Sequence, residues 1–257
     1  MGLFFLKIAS APLLIASATL VARRWGPAVG GWFVGLPLVS GPLSFFLALE
    51  QGAEFASASA ANSLIGLCGI AVFSIIYVKS ARAADWLRSS CFSLAAYFAA
   101  MELLSLPSFG LPLKCMMTFA LQLATLRIIG KPTAVLAMRT SPWWDLPVRM
   151  GAAVTVVLSI TGFALVLGPK WSGLLAPFPA FTLIMIAFSH RLCGSAAAHQ
   201  FAYGAVVGGF GSICFFCIAA FSLTSLGPLV AFALAALAAF TMNGLILTLM
   251  LRRQRGR

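Results

Sequence analysis

Acidic side chains are scarce in this sequence. Only 5 of its 257 residues are Asp or Glu, and charged residues of both signs make up 9% of the chain. About a quarter of the residues in an ordinary soluble domain are charged, and hard cations are bound by clusters of carboxylates. This shortage excludes an ordinary soluble domain and leaves no acidic cluster that predicts a cation site.

Signature motifs of common enzymes are missing as well. The sequence contains no G-x-x-x-x-G-K-[ST], no G-x-S-x-G, no H-E-x-x-H and no paired aspartates of an intramembrane protease. The CFFC at residues 214–217 has no neighbouring His or carboxylate, which favours packing over metal binding. The sequence therefore predicts a protein that is not an enzyme and that holds neither a metal nor a cofactor.

The sequence does contain long apolar runs. It is 61% hydrophobic, its mean hydropathy is +1.04, and a helix needs about 20 apolar residues to cross the hydrocarbon core. Nine runs are long enough, at 3–22, 28–50, 54–78, 88–106, 109–129, 147–168, 171–190, 195–222 and 227–250. These runs predict an all-α integral membrane protein with about nine transmembrane helices, for which the lipid bilayer is the main partner.

The first run could also be a signal peptide. Arg23 and Arg24 follow it as a stop would, and no basic region precedes it, which favours a retained first span.

Basic residues set the predicted orientation. A net charge of +12 would indicate nucleic acid in a soluble protein, but here Lys and Arg lie in the short gaps between apolar runs. If the N-terminus is outside, most of them face the cytoplasm, including the arginines of the tail at 252–257. The prediction is a multi-pass protein with its C-terminus in the cytoplasm and no nucleic-acid partner. Its alanine content and arginine-rich tail indicate a bacterial inner membrane.

An internal repeat relates the two halves of the chain at a shift of 142 positions. The shift superimposes Gly26-Pro27 on Gly168-Pro169, Pro37 on Pro179, Ser40 on Thr182 and Gly52 on Gly194. It carries the first span onto the sixth, and because five spans is an odd step, the two units enter the membrane from opposite faces. The prediction is two inverted-topology repeats, with five helices in 1–130 and four in 147–251, a cytoplasmic linker at 131–146 and a basic tail at 252–257.

Prolines are predicted to interrupt helices two and seven at matching positions. Span two contains GLPLVSGP at 35–42, and span seven contains LAPFPAFT at 175–182. Proline removes a backbone donor and clashes with the preceding turn. The alternative is a pair of tolerated kinks, but in its plan the chain resembles secondary transporters, whose sites lie at paired interrupted helices of an inverted repeat. The predicted substrate-binding residues at these breaks are Ser40, Ser44, Pro37, Pro42, Pro177, Pro179 and Thr182.

Several of the polar candidate residues have two alternative roles. The hydroxyls of Ser40, Ser44 and Thr182 either bind substrate or repair backbone groups freed by proline. Lys7 and Arg149 are related by the repeat, and they either snorkel to opposite interfaces or present positive charge to an anionic substrate.

Proton coupling has three candidates. Glu50 ends span two and is either a solvated loop residue or a coupling carboxylate. Glu102 lies deeper, in span four, without an obvious local partner, and His190 flanks the turn after span seven, where a lone His often has no special role.

The favoured function is secondary-active transport of a small solute by alternating access, at a midplane site formed by helices two and seven. An anion is preferred because Lys7 and Arg149 outnumber deep carboxylates, and proton or ion coupling is left open. The alternatives are a lipid flippase or a membrane scaffold subunit of a larger complex and, with less support, a membrane enzyme acting on lipid. A homodimer is left open too.

Overall fold

The structure is a computed structural model, and it describes residues 2–38, 40–106, 109–132, 142–156, 158–159 and 179–255. Side chains within these ranges are described from residue 12 to residue 249, except at position 43. Every regular element in the described residues is a helix. The predicted all-α class is therefore confirmed for this part of the chain.

The helices follow the predicted apolar runs. They are α1 (Gly2–Trp25), α2 (Pro27–Val34), α3 (Ser40–Gln51), α4 (Ala53–Ser80), α5 (Trp86–Ser105), α6 (Leu111–Ile129), α7 (145–156), α8 (Ala180–Cys193) and α9 (Ser195–Arg255). Helices α2 and α3 share the second run, and α9 covers the last two. Each of the nine predicted spans thus contains helical residues.

Three of the described helices are long and apolar enough, by length and composition, to cross a membrane. They are α4, α6 and the part of α9 from Ser195 to Leu249. That part of α9 has 55 residues, more than twice the length of one span. Gly227 interrupts it with a φ of 73°, immediately before Pro228, so α9 consists of an amino-terminal segment at 195–226 and a second segment beyond the break. The described helices support membrane association, and nine crossings remain a prediction.

The amino-terminal segment of α9 packs against α2 without intervening side chains. A Cβ built at Gly204 would overlap the carbonyl oxygen of Ala28, and one at Gly208 would overlap that of Trp32. Gly31 and Gly35 face α9 in the same way. Such glycine pairs, spaced four residues apart on both helices, allow two backbones to touch.

Two glycines with matching geometry join α3 to α4 and α8 to α9. Gly52 has a φ of 89° and Gly194 a φ of 82°, values that favour glycine because it has no Cβ. Helix α3 ends at Gln51 and α8 ends at Cys193, while α4 begins at Ala53 and α9 at Ser195. Both pairs of boundaries are separated by the 142 positions of the sequence repeat.

Candidate functional site

Helical structure stops inside the proline-containing stretch of the second run. Helix α2 ends at Val34 and α3 begins at Ser40, which leaves a break segment at residues 35–38. Within it the Gly35 carbonyl accepts a 2.7 Å hydrogen bond from Ser212 Oγ of α9. A hydroxyl from another helix thus repairs part of the freed backbone.

A central cavity of about 240 Å³ lies beside the break segment. Its walls come from α1, α2, α3, α4, α6, α8 and α9. The polar side chains that line it are Ser40, Ser44, Ser63, Gln122, Thr182 and Ser212. Among the described lining residues none is acidic or basic. The structure therefore brings four predicted site residues together here, since Pro179 lines the cavity with Ser40, Ser44 and Thr182.

Two helices begin at this cavity. Ser40 is the first residue of α3, and Pro179 is the N-cap of α8, where no side chain caps the helix. The first backbone N–H groups of a helix have no partner within it, and its amino end carries about half a positive charge. The amino ends of α3 and α8 together make the cavity favourable for an anion.

Three hydroxyls in the cavity are free to bind a ligand. Thr182 is 6% exposed, and no side-chain hydrogen bond joins Thr182, Ser40 or Ser44 to any other residue that the structure describes. The remaining polar side chains of the cavity are already bonded: Ser63 to the Ser59 carbonyl, Gln122 to the Val206 carbonyl and Ser212 to the Gly35 carbonyl. The backbone carbonyl of Gly35 is thus satisfied by Ser212, which was not among the predicted candidates.

The predicted prolines Pro37 and Pro42 line a different space. A second cavity of about 440 Å³, here called the phenylalanine cavity, is walled by apolar residues including Phe45, Phe215 and Phe232. Leu36 and Leu38 line both cavities. The break segment is thus a thin wall between a cavity with polar groups and an apolar one.

Arg149 lies away from both cavities, in what we call the buried arginine cluster: Arg23, Asp145 and Arg149. The side chains of Arg149 and Asp145 are both 0% exposed, with Arg149 Nε 2.7 Å from Asp145 Oδ1. Arg23 Nη2 lies 3.0 Å from the other carboxylate oxygen. Two guanidinium groups thus share one carboxylate, and Arg149 Nη2 has no hydrogen-bond partner among the described residues.

One layer of side chains separates the buried arginine cluster from the central cavity. Arg149 Nη1 donates to Met185 Sδ at 3.4 Å, and Met185 also lies 3.4 Å from the Thr19 hydroxyl. Thr19 donates to the carbonyl of Ile15, a residue of the cavity wall. The cluster is therefore linked to the cavity wall through Met185, Thr19 and Ile15.

The three residues predicted for coupling lie outside the cavity wall. Glu50 and Glu102 are exposed, while His190 Nδ1 lies 3.5 Å from the hydroxyl of the fully buried Tyr77. The Lys7 side chain and Pro177 fall outside the described residues. The structure therefore does not bring Glu50, Glu102 or His190 together with the hydroxyls.

Sequence reasoning missed Asp145, which lies in the predicted linker at 131–146. The spacing of Asp145 and Arg149 by four residues was a usable signal, since such a pair faces the same side of a helix. Arg23 is 122 residues from Asp145, and no local pattern predicts that contact.

Comparisons of the chain with protein-family models, with curated proteins and with solved structures give no match.

Proposed function

We propose that this protein is a secondary-active transporter that moves a small anion by alternating access, with the central cavity as its substrate site. The observation that carries the proposal is the convergence on one cavity of the amino ends of α3 and α8, the latter without a side-chain cap, and of three hydroxyls with no partner among the described residues. Interrupted helices that point their amino ends at a substrate are the usual construction of such sites.

The matched helix boundaries support an inverted repeat. Helices α3 and α8 both start at the cavity, and each ends at a glycine of positive φ followed by a long helix. In an inverted repeat these two half-helices run to opposite faces of the membrane, and the site between them is where one half moves relative to the other.

The charges around the cavity favour an anion over a cation. No described acidic side chain lines it. The carboxyl end of α2 would attract a cation, but Ser212 donates to the Gly35 carbonyl at that end. The partial positive charges at the amino ends of α3 and α8 then face the cavity.

In this proposal the buried arginine cluster is the closed inner gate. Arg23 ends the first span and Asp145 precedes the sixth, so the predicted topology places both at the cytoplasmic side. Opening this end separates α1 from α7 and breaks the contact between Arg23 and Asp145, which is 3.0 Å here.

Replacing the free hydroxyls tests the site. We expect Ser40→Ala and Thr182→Ala to reduce uptake into proteoliposomes about tenfold, because a hydrogen bond to a charged group contributes roughly 1.5–3 kcal/mol. The solute is first chosen by thermal unfolding in detergent against small anions, cations and lipids at acidic and neutral pH. A ligand at a hundred times its Kd stabilises the folded state by about 2.7 kcal/mol.

Ser63→Ala is the matched control, since Ser63 lines the same cavity but donates to its own helix. It is expected to transport normally. Normal transport by both Ser40→Ala and Thr182→Ala, at unchanged folded yield, would rule out this cavity as the substrate site.

The phenylalanine cavity favours the alternative function, a lipid flippase or a scaffold subunit. It is large, apolar and bordered by Phe46 and Phe240, which are 39% and 62% exposed. Stabilisation by lipids alone in the same unfolding experiment would favour this alternative over transport of a soluble anion.

Reporter fusions test the proposed orientation. A reporter fused after Arg257 is expected to report the cytoplasm, and one fused after Gly52 the opposite side, because span two runs outward. Topology-sensitive enzymes such as alkaline phosphatase give the readout. Reversal of both signals would invert the assignment of the buried arginine cluster to the inner end.

A further inference from the structure

We infer that the substrate is a small monovalent anion with an apolar body, in the chemical class of short aromatic or branched aliphatic carboxylates. This inference rests on the proposed function and narrows the substrate of the same cavity. The size of the cavity, the composition of its walls and the charges around it each restrict the class of substrate.

The size of the cavity excludes large metabolites. Its volume is about 240 Å³, compared with about 150 Å³ for an engineered cavity that binds benzene. A compact molecule of about ten non-hydrogen atoms fills such a space. Nucleotides, sugar phosphates and complete lipids are larger than this.

The side chains that line the cavity favour a substrate with an apolar body. Ile15, Phe33, Leu67, Phe181 and Phe216 reach the cavity from five different helices. An inorganic oxyanion has no apolar surface to place against these side chains, whereas an alkyl group or a phenyl ring removes them from water.

The partial charges around the cavity favour a substrate with a single negative charge. Each helix amino end carries about half a unit of positive charge, so α3 and α8 together balance about one. No described Lys or Arg lines the cavity. A dianion would have a second charge without a partner among the described lining residues, which is unfavourable against largely apolar walls.

The hydroxyls of the cavity indicate where the charged head group of the substrate binds. Thr182 belongs to the first turn of α8 and Ser40 to that of α3, and both have unused hydrogen-bonding capacity. Thr182 is also more than nine-tenths buried. A carboxylate placed between the two helix ends accepts from these hydroxyls and from free backbone N–H groups.

The test measures the unfolding temperature of the purified full chain in detergent with sodium salts at equal ionic strength. Benzoate and isovalerate are the probes, phosphate and sulfate are the inorganic comparators, succinate is the dianion, and benzamide is the neutral counterpart of benzoate. We expect benzoate or isovalerate to raise the unfolding temperature in a saturable way, and at least tenfold tighter binding than the other four.

Two variants locate the bound probe. Thr182→Ala is expected to weaken benzoate about tenfold through the head group, and Leu67→Ala to weaken it several-fold through the body. Leu113→Ala, at a side chain 49% exposed on α6, is the control and is expected to leave binding unchanged.

The outcomes separate the two proposals. Phosphate, sulfate or succinate binding as tightly as benzoate, and lost in Thr182→Ala, would overturn the substrate class while leaving the site in place. Equal binding of benzamide would overturn the role of the charge. Stabilisation by lipids alone, with no response to any anion, would overturn the proposed function together with this inference.

Discussion

Replacing Asp145 by Asn is expected to destabilise the protein by about 3–5 kcal/mol, the range found when one partner of a buried ion pair is removed. The side chain of Arg149 is 0% exposed, and Asp145 is its ion-pair partner among the described residues. Without the carboxylate, two guanidinium groups face each other, and Arg149 remains charged in a buried position. The unfolding temperature of the purified protein in detergent measures the loss.

Asp85→Asn is the matched control for this substitution. Asp85 also pairs with an arginine in the next turn, but its side chain is 57% exposed and the Arg88 contact is 3.8 Å. Asn is as good an N-cap as Asp, and exposed pairs contribute about 0–1 kcal/mol. Equal effects of the two substitutions would show that Asp145 is not buried against Arg149. The double variant Asp145→Asn with Arg149→Met is expected to recover part of the stability, since it removes the unpaired charge.

Gly204→Ala is expected to destabilise the chain by about 1–3 kcal/mol or more, the cost of overpacking a tight contact. The added Cβ would overlap the carbonyl oxygen of Ala28, a backbone atom that cannot rotate away. Helices α2 and α9 would have to separate, and Ser212, two turns further along α9, would lose its 2.7 Å bond to Gly35. The measured quantities are folded yield and unfolding temperature in detergent.

Gly244→Ala provides the comparison within the same helix. Nothing lies within 4 Å of a Cβ at Gly244, and alanine is favoured over glycine in helices by about 1 kcal/mol. This variant is expected to be as stable as the original or slightly more so. A normally folding Gly204→Ala would contradict the direct backbone contact of α2 with α9.

Local chemistry made much of the helix pattern predictable. The length of the apolar runs predicted the helices, and Pro37 lies between the end of α2 and the start of α3, where its missing N–H disfavours a continuous helix. The repeat pairs Ser40 with Thr182, and both line one cavity. The similarity of these two segments in sequence thus predicted that they lie close together.

The partners of polar side chains were less predictable. Ser212 bonds to Gly35 across 177 residues, and nothing near Ser212 in the sequence distinguishes it from the free hydroxyl of Thr182. At the shift of 142 positions, Arg149 corresponds to Lys7, which is also basic. Its ion-pair partner Asp145 corresponds to Leu3, which is apolar. Because the acidic residue of the buried arginine cluster has no acidic counterpart at this shift, the repeat pattern did not predict the cluster.

The bond between Ser212 and Gly35 also sets an order of events during synthesis. The carbonyl of Gly35 leaves the ribosome 177 residues before the hydroxyl that it accepts from. At about 5–20 residues per second, the break segment waits roughly 9–35 s for this partner. In the proposed membrane topology α2 is inserted before α9 covers it, so during that interval water, lipid head groups or the insertion machinery would have to shelter the break.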